Sequence, residues 1–228
     1  MIPHPRKLPA EVDLRGKFQP VYDQGNLGSC TANAGGGVVQ FKRMQEHKTA
    51  FIPSRLHLYW WTRFIQGQTN EDSGASIRNT FKALNKYGFC HETIWPYKVS
   101  QFKTKPSKAA NDEAAGLKLV SYASVPQNGL AIQGAVADGH PVVFGFSVFN
   151  DFRPNSKGLI AMPKKTDRVQ GGHAVIIVGY KMINGSLYYI IRNSWGKGYG
   201  IDGHCYMPAA YVESSKLASD FWIASLVP

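Results

Sequence analysis

Apolar residues follow two different rhythms along this chain. Before about residue 118 they recur at helical spacing, and after about residue 140 they gather in short β-branched runs. Thr31 to Lys48 lacks proline and carries Val38, Val39, Phe41 and Met44 at helical spacing, which predicts a first helix. Pro53-Ser54-Arg55 opens a second, Leu56 to Ile65, with Pro53 where helix starts accept one. Ser73 and Ser76, then Ile77, Phe81 and Leu84, predict a third helix stopped by Gly88. Lys98 to Asn111 is rich in lysine and serine, contains Pro106, and reads as a loop between lobes.

The second half reads as strands: Pro141 to Phe149, Ala174 to Tyr180, Leu187 to Ile191, Gly203 to Met207 and Phe221 to Leu226. Asn184-Gly185 predicts a tight hairpin turn, which also accounts for the glycosylation sequon Asn184-Gly185-Ser186 without a sugar. Helices followed by strands predict an α+β fold with two lobes.

With 228 residues, 43% hydrophobic and 18% charged, the chain can build a sizeable core, which excludes wholesale disorder. No apolar run reaches the roughly 18 residues of a membrane span. The start, Met1 to Lys7, has two prolines and no apolar signal segment. The compartment is left open: the chain is cytosolic as made, or the mature part of a longer precursor. The net charge of +11 favours anionic partners, but the lysines are dispersed and no aromatic ladder is interleaved with them. They read as a solvated basic face, with no nucleic acid and no membrane span expected.

Three cysteines, Cys30, Cys90 and Cys205, allow at most one bridge and leave at least one free thiol. Cys30 sits where the glycine-rich run Gln24-Gly25-Asn26-Leu27-Gly28-Ser29 meets the first helix. A helix N-terminus favours thiolate, and the Gln24 amide can donate to a developing oxyanion; a structural thiol beside an ordinary turn fits that segment equally well. His173 lies where Gly171-Gly172 meets an apolar strand, a place that usually holds a core histidine. Asn193 ends the following strand, with Trp195 in the next turn. Paired strands can set His173 beside Asn193, so that the amide fixes the imidazole tautomer and aims its other nitrogen at Cys30.

Taken together, Gln24…Gly28-Ser29-Cys30, Gly172-His173-Ala174 and Asn193-Ser194-Trp195-Gly196, in that order, resemble the papain-like cysteine peptidases, the cathepsin family. Leu8 to Arg15 is similar to the start of a mature enzyme of that family. The family usually has Cys at Leu27, disulfide-bonded to a Cys in the region of Glu71-Asp72-Ser73-Gly74, and Trp or Tyr at Thr31; the chain therefore resembles a divergent branch that tolerates a reducing compartment.

The resemblance implies a papain-like two-lobed fold, a helical lobe plus an antiparallel β-barrel-like lobe, with the active site in the cleft between. It divides the chain into an N-terminal strap (1–17), a helical lobe carrying the cysteine (18–118) and a β-barrel-like lobe carrying His and Asn (119–228). It implies Cys30 as nucleophile, His173 as proton carrier, Asn193 as its orienter, and Gln24 with the Cys30 N–H as oxyanion hole. Ser73 and Gly74 would bind the substrate backbone. Gly145 and Ala174 would wall the specificity pocket, Trp195 would cover the His–Asn pair, and Asp220 would lie at the pocket floor. The implied activity is hydrolysis of peptide bonds, as an endopeptidase, without cofactor or metal. The expected partners are a peptide or protein substrate and an inhibitory propeptide or protein inhibitor, and the expected state is a monomer. A papain-like binding or storage protein, acyl transfer to an amine, and a basic nucleic-acid binder are the alternatives.

Cys90-His91 and His204-Cys205 raise a zinc site or a Cys90–Cys205 disulfide. Strand neighbours point to opposite faces, so the reading is no metal and two unremarkable thiols. His4, His47, His57 and His140 read as surface or boundary residues, and Tyr59-Trp60-Trp61 as a packed aromatic face.

Overall fold

A computed structural model of the chain describes residues 7–49, 51–149 and 152–226. His4, the first residues of the strap, and the last two residues of the chain lie outside them. Helices α1 (Cys30–Gln45), α2 (Arg55–Gln66), α3 (Ile77–Lys86) and α4 (Lys108–Ala115) come first. Short strand β1 (Val12–Asp13) precedes them. After them come β2 (Ser121–Ser124), α5 (Gly129–Ala137), β3 (Val142–Phe149), β4 (Val169–Ile183), β5 (Ser186–Arg192), β6 (His204–Pro208), α6 (Ala209–Val212) and β7 (Ala218–Ser225).

Helix α1 is buried on every side from Thr31 to Lys42, so it needs no polar face. Its Gly35-Gly36-Gly37 run costs helix propensity, about 1 kcal/mol per residue relative to alanine. Close packing explains two of the three. A methyl group at Gly35 would lie 2.9 Å from Thr80 of α3, and one at Gly37 would lie 2.9 Å from Ile176 of β4. Helix α2 starts at Arg55, two residues past Pro53: Ser54 is the cap and accepts from the His57 N–H at 3.1 Å. Helix α3 ends before Gly88, whose φ of 77° suits the turn. A Cβ there would meet the Ala114 carbonyl at 1.9 Å.

The strands form one antiparallel sheet in the order β2-β7-β3-β4-β5-β6, with β1 added beside β4. Strand β4 is buried on both faces from His173 to Tyr180. Ala174, Ile176 and Val178 pack with residues of α1, α2 and α3, while Val175 and Ile177 join Ile132 and Val136 of α5 and Val212 of α6 on the opposite side. The period of two along a strand thus explains why its apolar run is continuous. At the Asn184-Gly185 turn between β4 and β5, φ is 50° and 78°, the left-handed pair a two-residue hairpin demands.

The fold is α+β, as expected, with two corrections. The sheet is open rather than barrel-like. Its path ends at β2 and β6, four and five residues long, which do not pair with each other. Lys98 to Asn111 is not simply a loop: Val99–Gln101 is a 3-10 turn and Lys108 begins α4. Ser107 caps α4 by accepting from the Ala110 N–H at 3.2 Å, and an alanine-rich run carries the helix on. Strands β1 and β2 and helices α5 and α6 were not foreseen. No helix among the described residues is long and apolar enough to cross a membrane.

Candidate active site

The β3–β4 register sets Phe146 opposite His173 and Gly145 opposite Ala174. The β4–β5 hairpin then returns the chain so that Asn193, one residue past β5, meets His173: Nε2 lies 2.7 Å from the Asn193 Oδ1. The same Oδ1 accepts the Ser194 N–H at 2.8 Å, which identifies it as the carbonyl oxygen of the amide. Nε2 must therefore donate, and in the neutral ring Nδ1 holds the lone pair. Trp195 stacks on the imidazole at 4.7 Å with 18° between the planes. Phe152 and Tyr199 meet the indole edge-on at 6.0 and 5.2 Å and hold it there.

Cys30 is the first residue of α1, and its thiol sits in a cleft of about 790 Å³ that His173 also lines. Burial pushes the thiol up, opposed by the backbone N–H groups of Ala174, Thr31 and Cys30 itself; Asp72 adds a small upward push. Burial likewise presses His173 down to about 4, partly offset by Asn193. Desolvation thus opposes either charge formed alone. A thiolate–imidazolium pair has to be held by mutual attraction, by the free N–H groups at the helix start, and by Asn193.

Gln24 lines the same cleft, and its amide is held at both ends: Nε2 donates to the Leu27 carbonyl at 3.0 Å, and Oε1 accepts from the Ser194 hydroxyl at 2.7 Å. Nε2 keeps a second hydrogen. The Ser194 role escaped the sequence reading, because the residue lies inside the Asn193–Trp195 motif without any charge or spacing to single it out.

Ser73, Gly74, Gly145, Ala174 and Trp195 all line the cleft. The Ser73 hydroxyl is turned onto the Gly74 carbonyl at 2.9 Å, and the Gly74 N–H is taken by the Tyr59 hydroxyl at 3.2 Å. A methyl at Gly145 would stand 3.6 Å from Ile77, so glycine there leaves space without being sterically obligatory. Asp220 lines the cleft in a left-handed conformation and accepts from the Trp222 indole; Lys216, which also lines it, had no sequence signal. Beyond Trp195 the groove continues into a second hollow of about 620 Å³ that includes Phe152, Arg153 and Ile201.

The other two cysteines lie elsewhere. Cys90 packs with Ala110 and Ala114, Cys205 lies in the core that also holds Val136 and Tyr211, and all three thiols are free, so no Cys90–Cys205 disulfide is present. Burial pushes both up to about 12. The His91 ring pairs with Glu113 at 2.8 Å, and no three His, Cys, Asp or Glu side chains converge among the described residues.

The sequence model described as "Papain family cysteine protease" matches residues 8–224. The uncharacterized peptidase C1-like protein L477 of Acanthamoeba polyphaga mimivirus is 40% identical over 213 residues, covering 88% of this chain and 68% of that protein. The cathepsin L-like proteinase of Fasciola hepatica is 27% identical over 210 residues, 89% of this chain but only 61% of its own length. Among solved structures, xylellain, a cysteine protease from Xylella fastidiosa, superposes with a TM-score of 0.92 at 40% identity, over 97% of this chain and 88% of its own. The bromelain protease of Ananas comosus, at 22% identity, shares the fold with a TM-score of 0.76 over 96% of this chain and all of its own. With the match running nearly end to end and the fold held from a bacterial to a plant protease, the chain belongs to the papain family of cysteine proteases.

Proposed function

We propose that the protein hydrolyses internal peptide bonds through Cys30, His173 and Asn193, with Gln24 completing the oxyanion hole. The observation that carries this reading is the His173–Asn193 hydrogen bond, which makes Nδ1 the basic atom on a cleft shared with Cys30. Cys30 Sγ gives its proton to Nδ1 and attacks the carbonyl carbon. The oxygen that takes up the charge is met by the Gln24 Nε2–H and the Cys30 N–H. As the C–N bond breaks, Nδ1 returns the proton to the leaving amine, and a thioester remains on Cys30. Water then gives a proton to Nδ1 and attacks the thioester; the C–S bond breaks, the acid leaves, and Sγ takes the proton back from Nδ1.

The lobes 18–118 and 119–228 are assigned as the two walls of this cleft, since its lining comes from both. The groove continues past Trp195, so substrate extends on both sides of Cys30, which favours internal cleavage. Gly145 and Ala174 leave room for one apolar side chain. A prosegment or protein inhibitor would occupy the same groove.

The test is a peptide library digested by the reduced protein, with products sequenced by mass spectrometry. Internal cuts that disappear in Cys30→Ala, with thermal unfolding unchanged, support the reading. Full turnover in Cys30→Ala, or no cleavage of any peptide by the reduced wild type, overturns it.

A further inference from the structure

Two segments flank the substrate groove on the helical side: Leu27–Cys30, which carries the Cys30 N–H and whose Leu27 carbonyl holds the Gln24 amide, and Ser73-Gly74. No covalent bond joins them, since all three thiols are free. A chain of hydrogen bonds does. The Gly28 N–H donates to Asp72 at 3.1 Å to Oδ1 and 3.0 Å to Oδ2. The Tyr59 hydroxyl donates to Asp72 Oδ1 and accepts the Gly74 N–H at 3.2 Å. The hydroxyl cannot drift, because the Tyr59 ring is fully buried and the Arg63 guanidinium lies 4.1 Å above it. Arg63 in turn donates to the carbonyls of Thr69 and Glu71, both at 2.8 Å, and so fixes the loop that presents Asp72.

We propose that Asp72 is a positioning residue, which locks the Gly28 peptide and, through the Tyr59 hydroxyl, Gly74, so that the nucleophile loop and the substrate-binding segment form one rigid unit. The inference rests on the proposed function above. It also explains an electrostatic cost: a carboxylate this close opposes thiolate at Cys30, so activation of the thiol cannot be its purpose.

The test compares Asp72→Ala, Asp72→Asn and Tyr59→Phe by steady-state kinetics per titrated active site. Asp72→Ala is expected to lower kcat by about 10–100-fold, the loss that follows when a catalytic group shifts by about an ångström. Asp72→Asn keeps an acceptor for the Gly28 N–H and is expected to restore kcat to within about fivefold, one neutral hydrogen bond's worth. The Cys30 alkylation profile is expected to move to lower pH in both Asp72 variants, because the opposing charge is gone from each; the kcat restored in Asp72→Asn alone is what separates positioning from charge. Tyr59→Phe frees Gly74 but leaves Asp72 on Gly28, so KM is expected to rise while kcat holds. Wild-type kcat and KM in Asp72→Ala, or equal loss in Asp72→Ala and Asp72→Asn, overturns the proposal. If Asp72→Ala does not fold, Tyr59→Phe decides: an unchanged KM overturns it. If the wild type cleaves no peptide, the proposed function fails, but amide exchange still reads the lock. Unchanged exchange at Gly28 in Asp72→Ala and at Gly74 in Tyr59→Phe overturns the proposal independently of turnover.

Discussion

The Ser194 hydroxyl donates to Gln24 Oε1 at 2.7 Å, across 170 residues of sequence. The bond pins an amide whose other end already donates to the Leu27 carbonyl, and so fixes where its remaining hydrogen points. Loss of an oxyanion donor costs about 100–1,000-fold in kcat, so Gln24→Ala is expected in that range. Ser194→Ala removes only the support and is expected to cost about fivefold, the worth of one neutral hydrogen bond. Both are read from kcat with KM measured alongside. Equal losses in the two variants would mean that Ser194 does more than orient Gln24.

The three thiols differ in setting, and alkylation separates them. Cys90 and Cys205 are buried with thiols pushed up to about 12, so they stay protonated and inaccessible at neutral pH. Cys30 faces the cleft. Substoichiometric iodoacetamide at mildly acidic pH is expected to label Cys30 alone, as mapped by mass spectrometry. The selectivity is expected to vanish in His173→Ala, which removes the proton acceptor. Equal, slow labelling of all three would show that no ion pair forms.

Acid is expected to destabilise the fold through buried histidines. His57, expected at the surface or boundary, is instead wholly buried, and its Nε2 meets Asn111 Oδ1 at 3.1 Å. That oxygen also accepts the Trp61 indole N–H, so Nε2 donates and Nδ1 is left without a partner. Burial lowers His57 to about 4, and His204 likewise. A depressed folded value means that the stability is fully present above the ordinary pKa of about 6.5 and is lost as pH falls through 4. The slope in that window approaches about 1.4 kcal/mol per pH unit for each histidine that takes up its proton only on unfolding. Denaturant midpoints between pH 7 and 4 measure it, and His57→Gln should make the decline shallower.

Gly88 joins α3 to the segment packed on α4. With φ at 77° and the Ala114 carbonyl 1.9 Å from any Cβ, Gly88→Ala is strained twice over. The expected loss is about 2–4 kcal/mol in urea unfolding. Gly171→Ala has open space and ordinary φ, and is expected to change stability by less than about 1 kcal/mol.

Much was legible in the sequence because it is written in local chemistry. Helical spacing marked α1 to α3, short apolar runs marked β3 to β7, and Asn184-Gly185 marked the hairpin that returns the chain from His173 to Asn193. The order of the cysteine, histidine and asparagine motifs pointed to the papain family, which the match over residues 8–224 shows. Helix α5 was not legible: its apolar residues carry no stripe, and only tertiary burial between sheet and solvent decides its face. Nor was the openness of the sheet, since closure depends on whether distant edges meet, and no local pattern encodes that. The supports of the site belong to the same class. Ser194 reaching Gln24, Tyr59 reaching Asp72, and Asp72 reaching Gly28 are contacts between ordinary polar residues far apart in the chain. A side chain's type states which bonds it can make, but only packing brings a partner within 3 Å, and that is what the tertiary structure decided.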